Sequence, residues 1–439
     1  MRVGEKGLLL LLLLLLLLLI PGVSWIQASE PIPPNKELQQ RRAQIGLFES
    51  DEILLVAAGG TEGEEVIRDY EYLTGLRSWG GVLILRRISG EVVSTLFLPA
   101  KDPGFEMWNG PRAFPGEESR ELTGIDTILP FASLMDWTLK NRDQIKTVYL
   151  TKPRSQKESL WSNMFAEETE FLSASRLIHP HRQIKSDWEV EQLKRAIDRT
   201  HQGLKAGAVN AKNSLYEYQV EAAIEGQFRM QGSPAPGFPS IVGSGPRSCI
   251  LHWQENNGEL DRDGVLLMDV GARSGAYTAD ITRTIPVSGK WSERQLQIYA
   301  VVLEAQRQGI AAVKSGATQR EVDSAARRVI REAGFGDYFP HGTSHHVGMN
   351  VHDVGPRRAL QPGMVITVEP GIYIPEEKIG IRIEDMVLVT EEGCEVLSAD
   401  IPKSAKAMEA WWRGAEVVEP DLKKPTPKNP DSDSPQRLR

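Results

Sequence analysis

Leu266-Leu267-Met268-Asp269-Val270-Gly271 and Val365-Ile366-Thr367-Val368-Glu369-Pro370-Gly371 carry the same device: an apolar run ends on an acid, and Gly follows two residues later. The two acids stand about one hundred positions apart, and other polar residues recur at nearly that offset. Asp280, in Ala279-Asp280-Ile281-Thr282-Arg283, pairs with Glu384 in Arg382-Ile383-Glu384-Asp385, and His252 pairs with His352. The segments leading to these acids repeat as well. Ser186 to Glu189 and Ser292 to Gln295 have the form in which cap and third helical residue satisfy each other's free backbone donors, so each predicts a helix start. A second such box follows in each half, Ser214 to Glu217 and Thr318 to Glu321, and each second helix runs out into Phe-Pro, at Phe238-Pro239 and Phe339-Pro340. Two copies of a helix-helix-strand unit, with acids on the strands, predict a pseudo-twofold domain whose site lies between the halves.

Asp280 between Ala279 and Ile281, and Glu384 after Ile383, are expected to be buried on strands. A buried carboxylate without a counter-ion costs several kcal/mol. Arg382 can hold one of the acids, and bound metal is the simplest account of the others. Each residue alone has a structural alternative: Asp269 can end its strand, Glu384 and Asp385 can form a surface pair on an edge strand, and His345 can be a satisfied core histidine. Taken jointly, they favour a site.

The ends lie outside this domain. Arg2 and Lys6 precede an unbroken apolar run, Leu8 to Ile20, which Pro21-Gly22 terminates. That is the pattern of a secretory signal. Its thirteen residues span about 20 Å as a helix against a hydrocarbon core of roughly 30 Å, so an anchor is the weaker reading. Cleavage after Ala28, with Ser24 as the competing site, predicts an exported chain, secreted or periplasmic, with no stable membrane insertion after cleavage. From about Glu419 onward Pro, Lys, Asp and Ser dominate without an apolar period, which predicts a solvated tail.

The remaining 390 or so residues suffice for two domains. A net charge of −8 without a Lys/Arg cluster argues against nucleic acid as a partner. Cys249 and Cys394 allow at most one bridge. Residues 30 to 180 read as a small α/β layer with strands at Ile53 to Ala58, Val82 to Leu85, Val92 to Leu98 and Ile145 to Leu150. Gly59-Gly60, followed by acids, reads as a turn rather than a phosphate loop.

Tyr72-Leu73-Thr74-Gly75, Leu96-Phe97-Leu98-Pro99, Asp102-Pro103 and Trp108-Asn109-Gly110-Pro111-Arg112 resemble the amino-terminal domain of the aminopeptidase P group. The second half resembles that family's metallopeptidase domain, with the pita-bread fold shared by methionine aminopeptidases and prolidases. The likeness is carried by Ile250 to Trp253, Met268 to Gly271, Ala279 to Thr284, His341 to Gly348, Val351 to Gly355, Thr367 to Gly371 and Gly380 to Asp385, and runs from about residue 40 to 400. It implies a creatinase-type α/β domain over 29–180 and a pseudo-twofold pita-bread domain of α/β (α+β) class over 181–405; the signal peptide over 1–28 and a C-terminal extension with a disordered tail over 406–439 are the readings of the ends given above.

By this resemblance the metal ligands are Asp269, Asp280, His345, Glu369 and Glu384, with Asp280 and Glu384 shared between two divalent ions. Four carboxylates and one imidazole make a hard, oxygen-rich set that suits Mn²⁺, with Zn²⁺, Co²⁺ or Fe²⁺ as substitutes. The implied reaction is attack of a metal-bridging hydroxide on a peptide carbonyl. Glu369 is assigned to proton transfer, His252 and His352 to the carbonyl and its developing oxyanion, and Arg382 to orienting a ligand carboxylate. His341 and His346 are open between packing and substrate contact. The expected substrates are peptides with proline second, whose ring fixes φ and lacks the N–H. A Xaa-Pro dipeptidase is the alternative, and a catalytically silent peptide-binding module the third; self-association into a homo-oligomer is compatible with the sequence. Arg247 and Ser248, in Gly245-Pro246-Arg247-Ser248, stand where family members commonly carry Asn and a small residue, and His346 replaces a frequent aromatic. These departures are expected to bear on substrate preference.

Overall fold

The computed structural model describes residues 31–45, 49–58, 64–77, 80–151, 161, 163–355 and 359–417. The Leu8 to Ile20 run, the Gly59-Gly60 turn and the tail from about Glu419 lie outside them. No helix among the described residues is long and apolar enough to cross a membrane.

Six strands, β1 (Glu52–Ala57), β2 (Val82–Ile88), β3 (Glu91–Leu98), β4 (Thr127–Pro130), β5 (Thr147–Leu150) and β6 (Glu170–Ser173), form one sheet in the order β4-β3-β2-β1-β5-β6. β1, β2 and β3 are antiparallel neighbours, whereas β4, β5 and β6 join in parallel. Four of these strands are the predicted ones. β4 and β6 were not expected, because each offers only two large apolar residues between polar or Pro ends, too few to show a period. Strand alternation sends Ile53, Leu55, Val82 and Ile84 into one core and Leu54, Val56, Leu83 and Leu85 into another. The second core is continuous with Leu193, Ile197 and Leu204 of the helix Asp187–Ala211. One face of the sheet thus packs onto the second half of the chain.

In that half, the helices Asp187–Ala211 and Glu217–Met230 pack together, as do Glu293–Ala312 and Gln319–Glu332. The boxes at Ser186, Ser292 and Thr318 cap their helices as predicted. The one at Ser214 does not. Its helix begins at Glu217, and Gln219 accepts from the free N–H groups of Leu215 and Tyr216 at 2.6 and 3.1 Å. Glu217, expected to close the box, is instead buried and engaged elsewhere.

β7 (Ile241–Ser244), β8 (Val265–Val270) and β11 (Ile281–Pro286) make an antiparallel sheet in the order β11-β8-β7, beside the short hairpin β9 (Arg273–Ser274) and β10 (Tyr277–Thr278). β12 (Val365–Val368), β15 (Asp385–Val389) and β16 (Cys394–Val396) make a second, and β13 (Gly371–Ile374) pairs with β14 (Ile379–Arg382). Of the four acids, only Asp269 lies within a strand. Asp280 immediately precedes β11, Glu369 follows β12, and Glu384 sits in the break between β14 and β15. The expectation that Asp280 and Glu384 lie on strands is corrected accordingly. At such breaks the ladder gives way and side chains from different sheets can converge; Glu384 N donates to Thr282 O at 3.2 Å, joining the two. Cys249 and Cys394 are both free thiols.

Candidate active site

A cavity of about 520 Å³ opens between the two halves of this region, and its lining collects Asp269, Asp280, His345, Glu369, Glu384, His252, His352 and Arg382. The eight residues given ligand or catalytic roles in the sequence analysis therefore face one space. Asp280, His345 and Glu384 bring one ligand atom each to within 4.8 Å of one another. His345 Nε2 lies 3.3 Å from Asp280 Oδ2 and 3.4 Å from Glu369 Oε1. Its Nδ1 faces His346 O at 3.0 Å, so a proton on Nδ1 leaves the Nε2 lone pair aimed at the acids.

Glu369 is approached from two positions back by Thr367, whereas Glu384 and Asp269 are held by polar residues about a hundred positions away, on different strands. Thr282 Oγ1 donates to Glu384 at 2.7 Å and accepts from Arg382 Nε at 3.0 Å. Arg382 Nη2 donates to Asp269 Oδ2 at 2.6 Å. Thr367 Oγ1 lies 3.4 Å from Glu369 Oε1. Tyr373, buried, accepts from Arg382 Nη1 at 2.9 Å and contacts His341 Nε2 at 2.8 Å. Thr282, Thr367 and Tyr373 were not singled out from the sequence. Spacing held a signal for Thr367 alone, which is Glu369 minus two; Thr282 meets Glu384 across 102 positions, and no local spacing announces that pairing.

Burial, then Asp269 and Glu369, push the Asp280 carboxyl well above its ordinary range. Burial, then Asp280 and Glu369, do the same to Glu384, and burial raises Glu369 despite His345 and Arg382. Asp280 is only 4 % exposed, and with Glu384 at 1 % and Asp385 at 0 % the alternative of a Glu384–Asp385 surface pair is ruled out. Asp385 is buried as well, turned away from the cavity to Arg283 at 2.8 Å and to Lys403. Among the described residues, Asp269 Oδ1 is buried with no hydrogen-bond partner. Crowded, buried acids with a free oxygen and an imidazole lone pair are a donor set that fits hard divalent cations.

His252 and His352 stand open to the cavity, and the His352 ring lies 4.2 Å from that of His345. Burial, and then His345 and His252, lower the His352 pKa, so its imidazole is neutral at pH 7. His252 sits on a loop pinned by Glu217, whose carboxylate accepts from Ser244 N (2.7 Å), Arg247 Nε (2.6 Å), Trp253 Nε1 (2.8 Å) and Gly258 N (2.9 Å). Arg247 and Ser248, expected to bear on substrate preference, do not line the cavity. Arg247 braces Glu217 from behind, and Ser248 Oγ accepts from Gly380 N at 2.8 Å. His341 lines the cavity, whereas His346 is buried behind it, 6 % exposed, with Nδ1 unpartnered among the described residues. Phe238, Pro239, Ile241, Leu251 and Val351 form an apolar stretch of the same wall.

Comparison with known proteins finds a match to "Metallopeptidase family M24" over residues 191–391 and to "Aminopeptidase P, N-terminal domain" over 67–149. Xaa-Pro aminopeptidase 1 of Streptomyces coelicolor is 32 % identical over 443 aligned positions, covering 87 % of this chain and 88 % of that protein. Zn-substituted Escherichia coli aminopeptidase P in complex with product superimposes with a TM-score of 0.81 at 28 % identity, over 88 % of this chain and all of the other. Xaa-Pro dipeptidase of Pyrococcus furiosus is 40 % identical over 235 positions, 52 % of this chain and 67 % of its own length.

Proposed function

This chain belongs to metallopeptidase family M24, in its aminopeptidase P group, and from that premise we propose that it removes the residue preceding proline at the amino terminus of peptides. The observation that carries the reading is the convergence of Asp280, Glu384 and His345 on a cavity walled by His252 and His352. Asp269, Asp280, His345, Glu369 and Glu384 would hold two divalent ions, and the oxygen-rich set favours Mn²⁺. Bound there, the ions supply Lewis acidity and lower the pKa of water towards neutrality.

The chain's own residues do the rest. Glu369, its pKa raised by burial, takes a proton from the attacking water through Oε1 and returns it to the prolyl nitrogen as the C–N bond breaks. His252 and the neutral His352 donate N–H groups to the carbonyl oxygen as charge develops on it. Arg382, fixed between Asp269, Thr282 and Tyr373, keeps Asp269 oriented. The apolar stretch from Phe238 to Ile241, with Leu251 and Val351, suits the proline ring. A Xaa-Pro dipeptidase is the second reading, motivated by the Pyrococcus likeness, but that likeness spans 52 % of the chain against 87 % for the Streptomyces aminopeptidase.

Purified protein given a Xaa-Pro-Yaa tripeptide and a Xaa-Pro dipeptide separates the two. The tripeptide should be cleaved faster, the activity should disappear in chelator, and Mn²⁺ should restore it. Preference for the dipeptide, or full activity in rigorously metal-free protein, would refute the proposal.

A further inference from the structure

A buried charge cluster outside the cavity joins the amino-terminal domain to the loop that carries His352. Arg182 ends the helix Ser175–Arg182 and has no exposed surface. Its Nη1 donates to Asp69 Oδ1 at 2.8 Å, on the helix Glu64–Thr74 of the amino-terminal domain. Its Nη2 donates to Asp353 Oδ1 at 2.6 Å, on the residue that follows His352. The Asp353 side chain is 1 % exposed, and its other oxygen lies 3.5 Å from Lys185 Nζ. Asp353 N donates to His346 O at 2.9 Å, so the loop is also closed on itself next to His345.

The planar guanidinium presents its donors in a rigid fork, which fixes the direction of both carboxylates as well as their distance. A buried pair of this kind adds little net stability over apolar packing, but losing one partner strands a charge. Its value lies in placement. Displacing a reacting group by about 1 Å can cost on the order of a hundredfold in rate, and Asp353 is one peptide unit from His352.

We propose that Arg182 is a positioning residue for the peptidase reaction: through Asp69, Arg182 and Asp353, the amino-terminal domain holds His352 at the cavity wall. This rests on the aminopeptidase reading above. The test uses the metal-loaded full chain, with Asp69→Asn and Arg182→Gln made alone and in a His352→Ala background. Tripeptide kcat and KM, bound metal and thermal midpoint are measured for each. The expected result is a roughly tenfold fall in kcat for either substitution, with metal content unchanged and KM within about threefold, but less than about twofold further loss once His352 is Ala. A mere structural brace predicts losses that multiply with His352→Ala, or a lower melting midpoint with kcat unchanged, and either outcome overturns the inference. Should Arg182→Gln fail to fold, Asp69→Asn keeps the Arg182–Asp353 pair and carries the cycle alone. Absence of tripeptide cleavage by the unmodified chain would overturn the aminopeptidase reading itself, and is seen before any variant is compared.

Discussion

Asp280 and Glu384 oppose each other in a buried space, and that conflict makes Glu384 the residue whose removal is most informative. Because burial and Asp280 raise its folded pKa above the unfolded 4.5, the metal-free fold holds a proton that the unfolded chain releases. Metal-free stability from this group is therefore present at low pH and lost as pH rises through the folded value. Glu384→Gln should abolish tripeptide cleavage and reduce bound metal, yet at pH 8 in chelator its denaturation midpoint should lie above that of the unmodified chain, corresponding to about 1 kcal/mol or more of unfolding free energy. A lower midpoint would mean that Glu384 is not strained against Asp280. His346 runs the other way. Burial, then Lys185, depress its pKa from 6.5 to about 4, so it contributes stability above pH 6.5 that is lost as pH falls towards 4. His346→Phe should remove that component, losing less stability between pH 7 and 5 than the unmodified chain, by up to about 1.4 kcal/mol per unit. Parallel curves in urea titrations across that range would refute it.

At the scale of elements, the loop from Ser244 to Gly258 is held by one carboxylate from the helix Glu217–Met230. A glutamine at that position offers one acceptor oxygen and turns an NH₂ group towards N–H donors. Glu217→Gln should therefore lower unfolding free energy by about 3 kcal/mol and reduce kcat through His252, with bound metal retained; unchanged stability would show that the loop holds itself. The boxes at Ser186, Ser292 and Thr318 were legible because capping is local: the groups that satisfy each other are three residues apart. Ser214 to Glu217 has the same letters and a different outcome, because a buried carboxylate with four donors from a distant loop outweighs one local cap. β4 and β6 escaped for a related reason. Their stability comes from neighbouring strands, and little of it is written in their own four residues.

For the whole molecule, we propose export through the amino-terminal apolar run. Amino-terminal sequencing of protein recovered from its native host should give a chain starting near Ser29; a chain starting at Met1 in the membrane fraction would make the segment an uncleaved anchor. Within the folded part, the two-sided burial of the six-stranded sheet fuses the amino-terminal domain to the core around Leu193 and Ile197. That packing allows Asp69 to reach a loop almost three hundred residues further along the chain through Arg182. The sequence by itself determined the repeat and three of the four caps, because periodicity and cap spacing are properties of the chain order, and its likeness to a known family pointed to the eight ligand and catalytic candidates that face the cavity. Only the tertiary structure decided that the acids gather at strand breaks, that Arg247 and Ser248 serve the scaffold rather than the substrate pocket, and that His346 is packed behind the wall. Those outcomes depend on which buried donor meets which buried acceptor across long separations, and that pairing is settled only once the sheets and helices have closed around them.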